Sequence, residues 1–482
     1  MHRRDFLKAG GLSVAAGWGC DLSKRSRSAN RPSVLFIAVD DLNGWLGCLG
    51  GHPHAVTPHI DGLASRGVLF SNAHCQAPIC GPSRTSLMTG LLPSTTGVYG
   101  QIQDDRLRAA HPKIREGLFL PEYFQQHGYH TMGIGKLFHQ HAPDGVFADS
   151  GGREAGFGPT PPEHFVWDQE KTGTDWGVYP DRDDAMPDYR SAQWAIERLG
   201  RSYDVPFFLG VGLLCPHVPW YVPQKWFDLF DLEALSVPPY LPNDDDDIPP
   251  IGRDLAAVPM MPTTEWAIKN GEWKRIVQAY LACVAFTDHY VGQMLNALAR
   301  SAHAGHTYVV LWSDHGYHLG EKNRFAKQSI WEESTRVPLI VAGPGIDGGH
   351  VCSRPAGMID VYPTLLDLCG LPPNSSNEGR SLRPLLDDPR ADWPHPALMT
   401  YGRNNHAVRT EHFRYIRYED GSEELYDHRH DRHEWKNLAG LDEHRQTIER
   451  LKDYLPRLNA RWSPESRYDW NPYLTEHRKR NL

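Results

Sequence analysis

Eight cysteines in a chain of 482 residues are too few and too scattered for a disulfide framework. They stand at positions 20, 48, 75, 80, 215, 283, 352 and 369, and no two form a CxxC pair. A zinc knuckle and a thioredoxin-like motif are thereby excluded. No apolar run is long enough to cross a bilayer as a helix. Positive charge is not in excess: 50 Lys and Arg face 59 Asp and Glu, for a net charge of −9. Nothing in that overall balance favours nucleic acid or an anionic membrane. An anionic substrate would have to be drawn in by a local basic pocket. Internal repeats and low-complexity arrays are also lacking.

What is present is ordinary for a globular protein, with 40% hydrophobic and 23% charged residues. The length suits one large domain and a smaller one. The start, MHRRDFLKAGGLSVAAGWGC, pairs Arg3-Arg4 with a short, weakly apolar stretch and resembles a twin-arginine export signal. Export to the periplasm is therefore expected, with Cys20 a candidate lipid acceptor and a polar linker running to residue 31.

SVLFIAVDDL (33–42) is a continuous apolar run ending in two aspartates, as expected of a strand buried on both faces of a sheet. The pattern recurs in YHTMGIGKLFH, PFFLGVGLLCPH and HTYVVLWSDHG, each ending in charged or histidine side chains, and VPLIVAGPG follows. Helical stretches such as Trp273–Arg300 intervene, so the chain reads as α/β. Polar residues at the C-terminal ends of strands are where open α/β sheets hold ligands. Residues 140–187 and 231–262 read as long insertions, and the acidic run 244–247 as a solvated surface. Beyond about residue 386, short alternating segments separated by turn residues predict an antiparallel sheet.

One cysteine keeps unusual company. CGPSRTSLMTG (80–90) places Cys80 before Pro82 and Arg84 at a helix start, where a buried structural thiol needs neither. The stretch resembles the C-x-P-S-R-x-x-L-x-T-G signature of the formylglycine-dependent sulfatases, and the resemblance extends from residue 33 to about 438. LYDHRHDRHEWKNLA is similar to the closing motif of their C-terminal subdomain. GKLFH, with two residues between Lys136 and His139, and SDHG, with His315 where arylsulfatases have Asn, resemble the iduronate-2-sulfatase branch.

That resemblance implies an alkaline-phosphatase-like fold: a large mixed sheet flanked by helices, with a smaller C-terminal antiparallel-sheet subdomain. Residues 1–31 would be the export signal and linker, 32–385 the catalytic domain and 386–482 the C-terminal subdomain. It also implies that a formylglycine-generating enzyme oxidises Cys80 to an aldehyde. The hydrated aldehyde carries two hydroxyls on one carbon: one attacks sulfur, and the other lets sulfate leave as the carbonyl re-forms. One divalent cation, calcium, is implied between Asp40, Asp41, Asp314, His315 and an oxygen of residue 80. Taken alone, the adjacent aspartates could equally be helix caps. Arg84 would buttress residue 80 and the metal carboxylates, and Lys136 and Lys327 would bind sulfate. His217 or Lys327 would protonate the leaving alcohol, and His139 would orient residue 80. Arg324, Lys327 and His217 are candidates for a sugar carboxylate. The expected substrate is a sulfated saccharide, with 2-O-sulfate on a terminal uronic acid foremost. A phosphodiester or phosphonate hydrolase of the same superfamily, and a glycan-binding protein without catalysis, are the competing readings.

Overall fold

The run after Pro32 shows how the fold is assembled. In the computed structural model, which describes residues 31–163 and 174–482, β1 (Ser33–Val39) is buried along its whole length. Successive side chains of a strand point to opposite faces. Leu35, Ile37 and Val39 accordingly enter one hydrophobic core, while Val34, Phe36 and Ala38 enter a second on the other face. A strand apolar at every position is what a two-sided core requires. The expected export segment and Cys20 lie outside the described residues.

The other main elements, in chain order, are β2 (Gly67–His74), α1 (Cys80–Thr89), β3 (His130–Gly135), β4 (Asp149–Gly152), α2 (Pro187–Leu199), β5 (Phe207–Leu213), α3 (Trp273–Arg300), β6 (Thr307–Ser313), β7 (Arg336–Ala342), β8 (His350–Cys352) and α4 (Val361–Leu368). They build a nine-stranded sheet ordered β8-β2-β7-β6-β1-β5-β3-β4, with the short strand Ala356–Gly357 also on β2. Helix α3 supplies Ile276, Tyr280, Val284 and Val291 to one core. On the other face, α1 contributes Leu87 and Met88, and α4 contributes Leu365 and Leu366.

Strands β1, β3, β5 and β6 are mutually parallel, so their C-terminal ends share one edge of the sheet. Strand β7 differs. The apolar run VPLIVAGPG fits a parallel strand equally well, but β7 is antiparallel to β6 and β2. The cause is the connection: residues 314–335 leave β6 and return to the same edge without a crossover helix, and antiparallel pairing is what such a return gives. Residue 327 is thereby kept beside residue 314. The acidic run also departs from expectation. Asp244 is buried against Lys322 at 3.1 Å, and burial pushes its carboxyl up to about 6 against that pairing. Only Asp245, Asp246 and Asp247 remain exposed, and Asp247 accepts a hydrogen bond from the Asn437 backbone.

The C-terminal part forms the expected antiparallel sheet: β9 (Ala397–Thr400), β10 (His406–Arg409), β11 (Phe413–Arg417) and β12 (Glu423–Asp427). Helix α5 (Arg445–Lys452) covers one face through Ile448 and Leu451. The other face shares a core with Ile79 and Tyr99 of the large domain. The chain then returns, and Ser466–Arg467 pairs with Gln101–Ile102. A buried ionic cluster joins the two parts. Arg414 lies 2.5 Å from Glu332 and 2.6 Å from Glu434; Arg409 meets Glu332 at 3.0 Å and His428 meets Glu434 at 2.9 Å. Removing Arg414 would leave two buried carboxylates short of a countercharge. Arg414→Ala is expected to lower unfolding stability by about 3–5 kcal/mol, read from the urea midpoint. An unchanged midpoint would show that the cluster does not couple the two sheets.

Candidate active site

The site stands on the shared edge of the parallel strands. Asp40 and Asp41 follow β1, Lys136 follows β3, His217 lies four residues beyond β5, and Asp314 and His315 follow β6. Two glycines let the β3 and β5 ends approach. A Cβ on Gly135 would lie 2.0 Å from the Gly212 carbonyl oxygen, and one on Gly212 would lie 2.2 Å from the Lys136 backbone. Asp41 has φ +60, a left-handed conformation uncommon for a residue with a side chain. Its backbone N–H donates to Asp314 Oδ1 at 3.2 Å, which fixes that conformation. Strained backbone of this kind collects at functional sites.

Helix α1 points its N-terminus at these strand ends, and all ten of its residues are buried. Cys80 is its first residue and so meets the positive end of the helix dipole. The sulfur lies 3.2 Å from His315 Nε2, 3.3 Å from Lys327 Nζ and 3.5 Å from Lys136 Nζ. One turn later, Arg84 donates to Asp314 Oδ2 at 2.8 Å and to Asp40 Oδ1 at 3.1 Å, and also holds the Lys136 carbonyl. Lys136 pairs with Asp40, and Lys327 with Asp41 Oδ1 at 2.7 Å.

Burial alone would raise the Cys80 thiol, but Lys136, Lys327 and His315 hold it well below the ordinary thiol range. Burial and Cys80 also act to raise Asp40, yet Lys136, His217 and Arg84 outweigh them and keep it far below the usual carboxylate range. Asp314 goes the other way: burial pushes it up to about 7 despite Arg84. His315 is raised to about 9, because Asp314 more than offsets the effect of burial.

The donor set fits a divalent cation. Ligand atoms of Asp40, Asp41, Cys80 and His315 lie within 4.8 Å of one another. Asp41 Oδ2 is buried with no hydrogen-bond partner. The His315 ring has its Nδ1 3.0 Å from the Gly316 carbonyl, which can only accept, so Nε2 is left facing the cluster. Asp314 stands beside this group, 3.6 Å from His315 Nε2, with Oδ2 already held by Arg84.

A cavity of about 630 Å³ opens onto Cys80. His139, His217 and Lys327 line it. His217 Nε2 is 3.9 Å from Asp41 Oδ2, and its ring stacks on Phe157 with centroids 3.8 Å apart. Arg324 is placed differently. It is buried behind the wall and donates to the backbone carbonyls of Lys327 and Gln328, so it braces the loop that carries Lys327. Other cavity residues carried no sequence signal: Arg153 and Phe157 from the first insertion, Met260 and Met261 from the second, and Tyr468 and Trp470 from the C-terminal return.

A family model described as Sulfatase matches residues 32–371. The chain belongs to the sulfatase family. A second model, for the C-terminal part of N-sulphoglucosamine sulphohydrolase, matches residues 320–461. The sulfatase is 49% identical over 466 residues to a sulfatase of Formosa agariphila, covering 94% of this chain and 92% of that one. It is 31% identical over 400 residues to iduronate 2-sulfatase of Mus musculus, covering 70% and 69%. Among solved structures, a protein in complex with its substrate D-glucosamine-2-N,6-O-disulfate superimposes with a TM-score of 0.69 at 22% identity, covering 88% of this chain and 96% of that one. A phosphonate monoester hydrolase of Agrobacterium radiobacter gives 0.69 at 21% identity, covering 94% and 96%, which shows how widely this fold is shared. The fold is thus the alkaline-phosphatase-like one of sulfatases.

A divalent cation bound among these carboxylates would stabilise the folded sulfatase increasingly as its free concentration rises above Kd. Titrating calcium into chelator-treated protein is expected to raise Tm by several degrees in the wild type and much less in Asp41→Asn. Equal shifts in both would place the ion elsewhere.

Proposed function

We propose that the chain is a formylglycine-dependent sulfatase that releases 2-O-sulfate from a uronic acid of a sulfated saccharide, with calcium as its cation. The observation that carries this reading is the setting of Cys80: first residue of a buried helix, in contact with three cationic side chains and beside a carboxylate with an unpartnered oxygen. The Cys80 thiol described above stands in for the hydrated aldehyde of the mature enzyme, which would supply a nucleophilic hydroxyl and a second hydroxyl for sulfate release. A cation among Asp40, Asp41, Asp314 and His315 would supply charge to neutralise sulfate oxygens. Export through the twin-arginine-like segment, and maturation by a formylglycine-generating enzyme, belong to the same proposal.

The chain's own residues divide the remaining work. Lys136 and Lys327 flank the sulfur of Cys80, in position to hold sulfate oxygens through charge-assisted hydrogen bonds. Burial would lower Lys327, but Asp41 and Cys80 keep it well above the ordinary lysine range, so it stays charged and serves better as a clamp than as an acid. Protonation of the leaving alcohol then falls to His217, which lines the cavity; its Nδ1 is 2.5 Å from the Val218 carbonyl, so Nε2 is directed inward. His139 lines the same wall beside Cys80, and Asp104 holds its backbone N–H at 3.2 Å. The uronate assignment rests on the GKLFH and SDHG forms and on the similarity to iduronate 2-sulfatase.

Peptide mass spectrometry of protein made beside a formylglycine-generating enzyme is expected to show residue 80 as the aldehyde. Cys80→Ser should release at most one equivalent of alcohol and then remain as a sulfate ester, because serine lacks the second hydroxyl. Repeated turnover by that variant would refute the exit route. Matched saccharides test the substrate: kcat/KM is expected to be at least tenfold higher on a 2-O-sulfated uronate than on a sulfated neutral sugar. A phosphonate ester turned over faster than any sulfate would replace the whole reading.

A further inference from the structure

The cavity holds one guanidinium whose charge is not met. Arg153 follows β4 and lines the cavity that opens onto Cys80. Among the described residues it has no carboxylate within ion-pair distance. Its NH2 group donates to the Gly156 carbonyl at 3.0 Å, and its Nε is buried with no partner at all. The other strong cations here are already engaged: Lys136 by Asp40, Lys327 by Asp41, and Arg84 by Asp40 and Asp314. Arg153 is half-buried, and burial lowers its pKa although the Asp40 carboxylate acts to raise it. An anion entering the cavity would meet this guanidinium without a carboxylate partner beside it.

The position of Arg153 says where that anion would sit. Its guanidinium carbon lies 5.4 Å from the centroid of Phe157, and Lys136 Nζ lies 4.8 Å from the same ring. That ring is stacked on His217. Arg153 therefore stands against the same aromatic ring as Lys136, which flanks Cys80, and as His217. The backbone supports the placement: Gly156 and Gly158 adopt φ +77 and +112, so the turn carrying Phe157 takes a path that side-chain-bearing residues rarely follow.

We propose that Arg153 binds a second anionic group on the sugar whose sulfate is being removed, and so selects doubly charged substrates over simple sulfate esters. The guanidinium N–H groups that do not donate to Gly156 can hold an anion through charge-assisted hydrogen bonds. The proposal rests on the sulfatase reading, and it makes a sugar carboxylate the foremost ligand; a second sulfate on a neutral sugar offers the same charge.

The test compares wild type with Arg153→Met and Arg153→Lys on four substrates: an aryl sulfate, a 2-O-sulfated uronate saccharide, its carboxyl-reduced counterpart and a disulfated neutral sugar. Arg153→Met is expected to raise KM for the doubly charged substrate about 10–100-fold with kcat changed less than threefold, and Arg153→Lys to recover part of the loss. The loss on the aryl sulfate should be at least ten times smaller. A loss confined to the uronate assigns the carboxylate, and one confined to the disulfated sugar assigns the second sulfate; both support the second-anion site. Equal losses on all four substrates, or none on any, overturn it. Wild-type preference for neutral sugars would instead count against the uronate assignment alone, since the Arg153 comparison can still be read on the disulfated substrate.

Discussion

One guanidinium holds the catalytic edge of the sheet together. Asp40 follows β1 and Asp314 follows β6; these strands are neighbours, and their carboxylates would repel one another in a buried site. Arg84 reaches both from the first turns of α1, and its other nitrogen holds the Lys136 carbonyl at the end of β3. Three strand ends and one helix are thus referred to a single planar group. Because Arg84 and Cys80 lie one turn apart on the same helix, fixing the carboxylates also fixes the position of Cys80 relative to them. A lysine, with a point charge and no fork, could not span this set.

The same economy governs the charges around Cys80. Lysines and carboxylates enter the site as pairs, so the floor is close to neutral without solvent, and an incoming sulfate competes with carboxylates for the same lysines. A cation at the Asp41 oxygen that lacks a partner would relieve that competition by taking over the carboxylates and freeing the ammonium groups. The overall negative charge of the protein makes this local arrangement more necessary, since no long-range field assists binding.

Much of this was legible in the residues. Two-sided apolar runs announced β1, β3, β5 and β6, and Trp273–Arg300 was readable as one helix from its repeated apolar positions. Residues immediately after strands, Asp40, Asp41, Lys136, Asp314 and His315, could be placed because strand ends in a parallel array converge whatever the intervening sequence. β2 was not legible, since its Ser71 and Asn72 break the apolar run, and Asn72 is satisfied by backbone carbonyls far along the chain. Arg153, Tyr468 and Trp470 reach the cavity through irregular or distant segments, whose paths no periodicity encodes. Asp244 looked solvated because its partner, Lys322, is 78 residues away in sequence. Arg324 showed the converse error: proximity in sequence to Lys327 placed it near the cavity but not in its wall.

The burial of α1 sets an order of events in the life of the chain. Cys80 is 1% exposed and every residue of its helix is covered. Any enzyme that must read the stretch from Cys80 to Arg84 as an extended peptide has to meet it before the sheet closes. Part of the cavity's surroundings comes from residues made late, because Ser466–Arg467 pairs with Gln101–Ile102 next to the cavity. Synthesis of the roughly 400 residues that follow Cys80 takes about 20–80 s at 5–20 residues per second. Until that segment is made, the pairing it contributes beside the cavity cannot form.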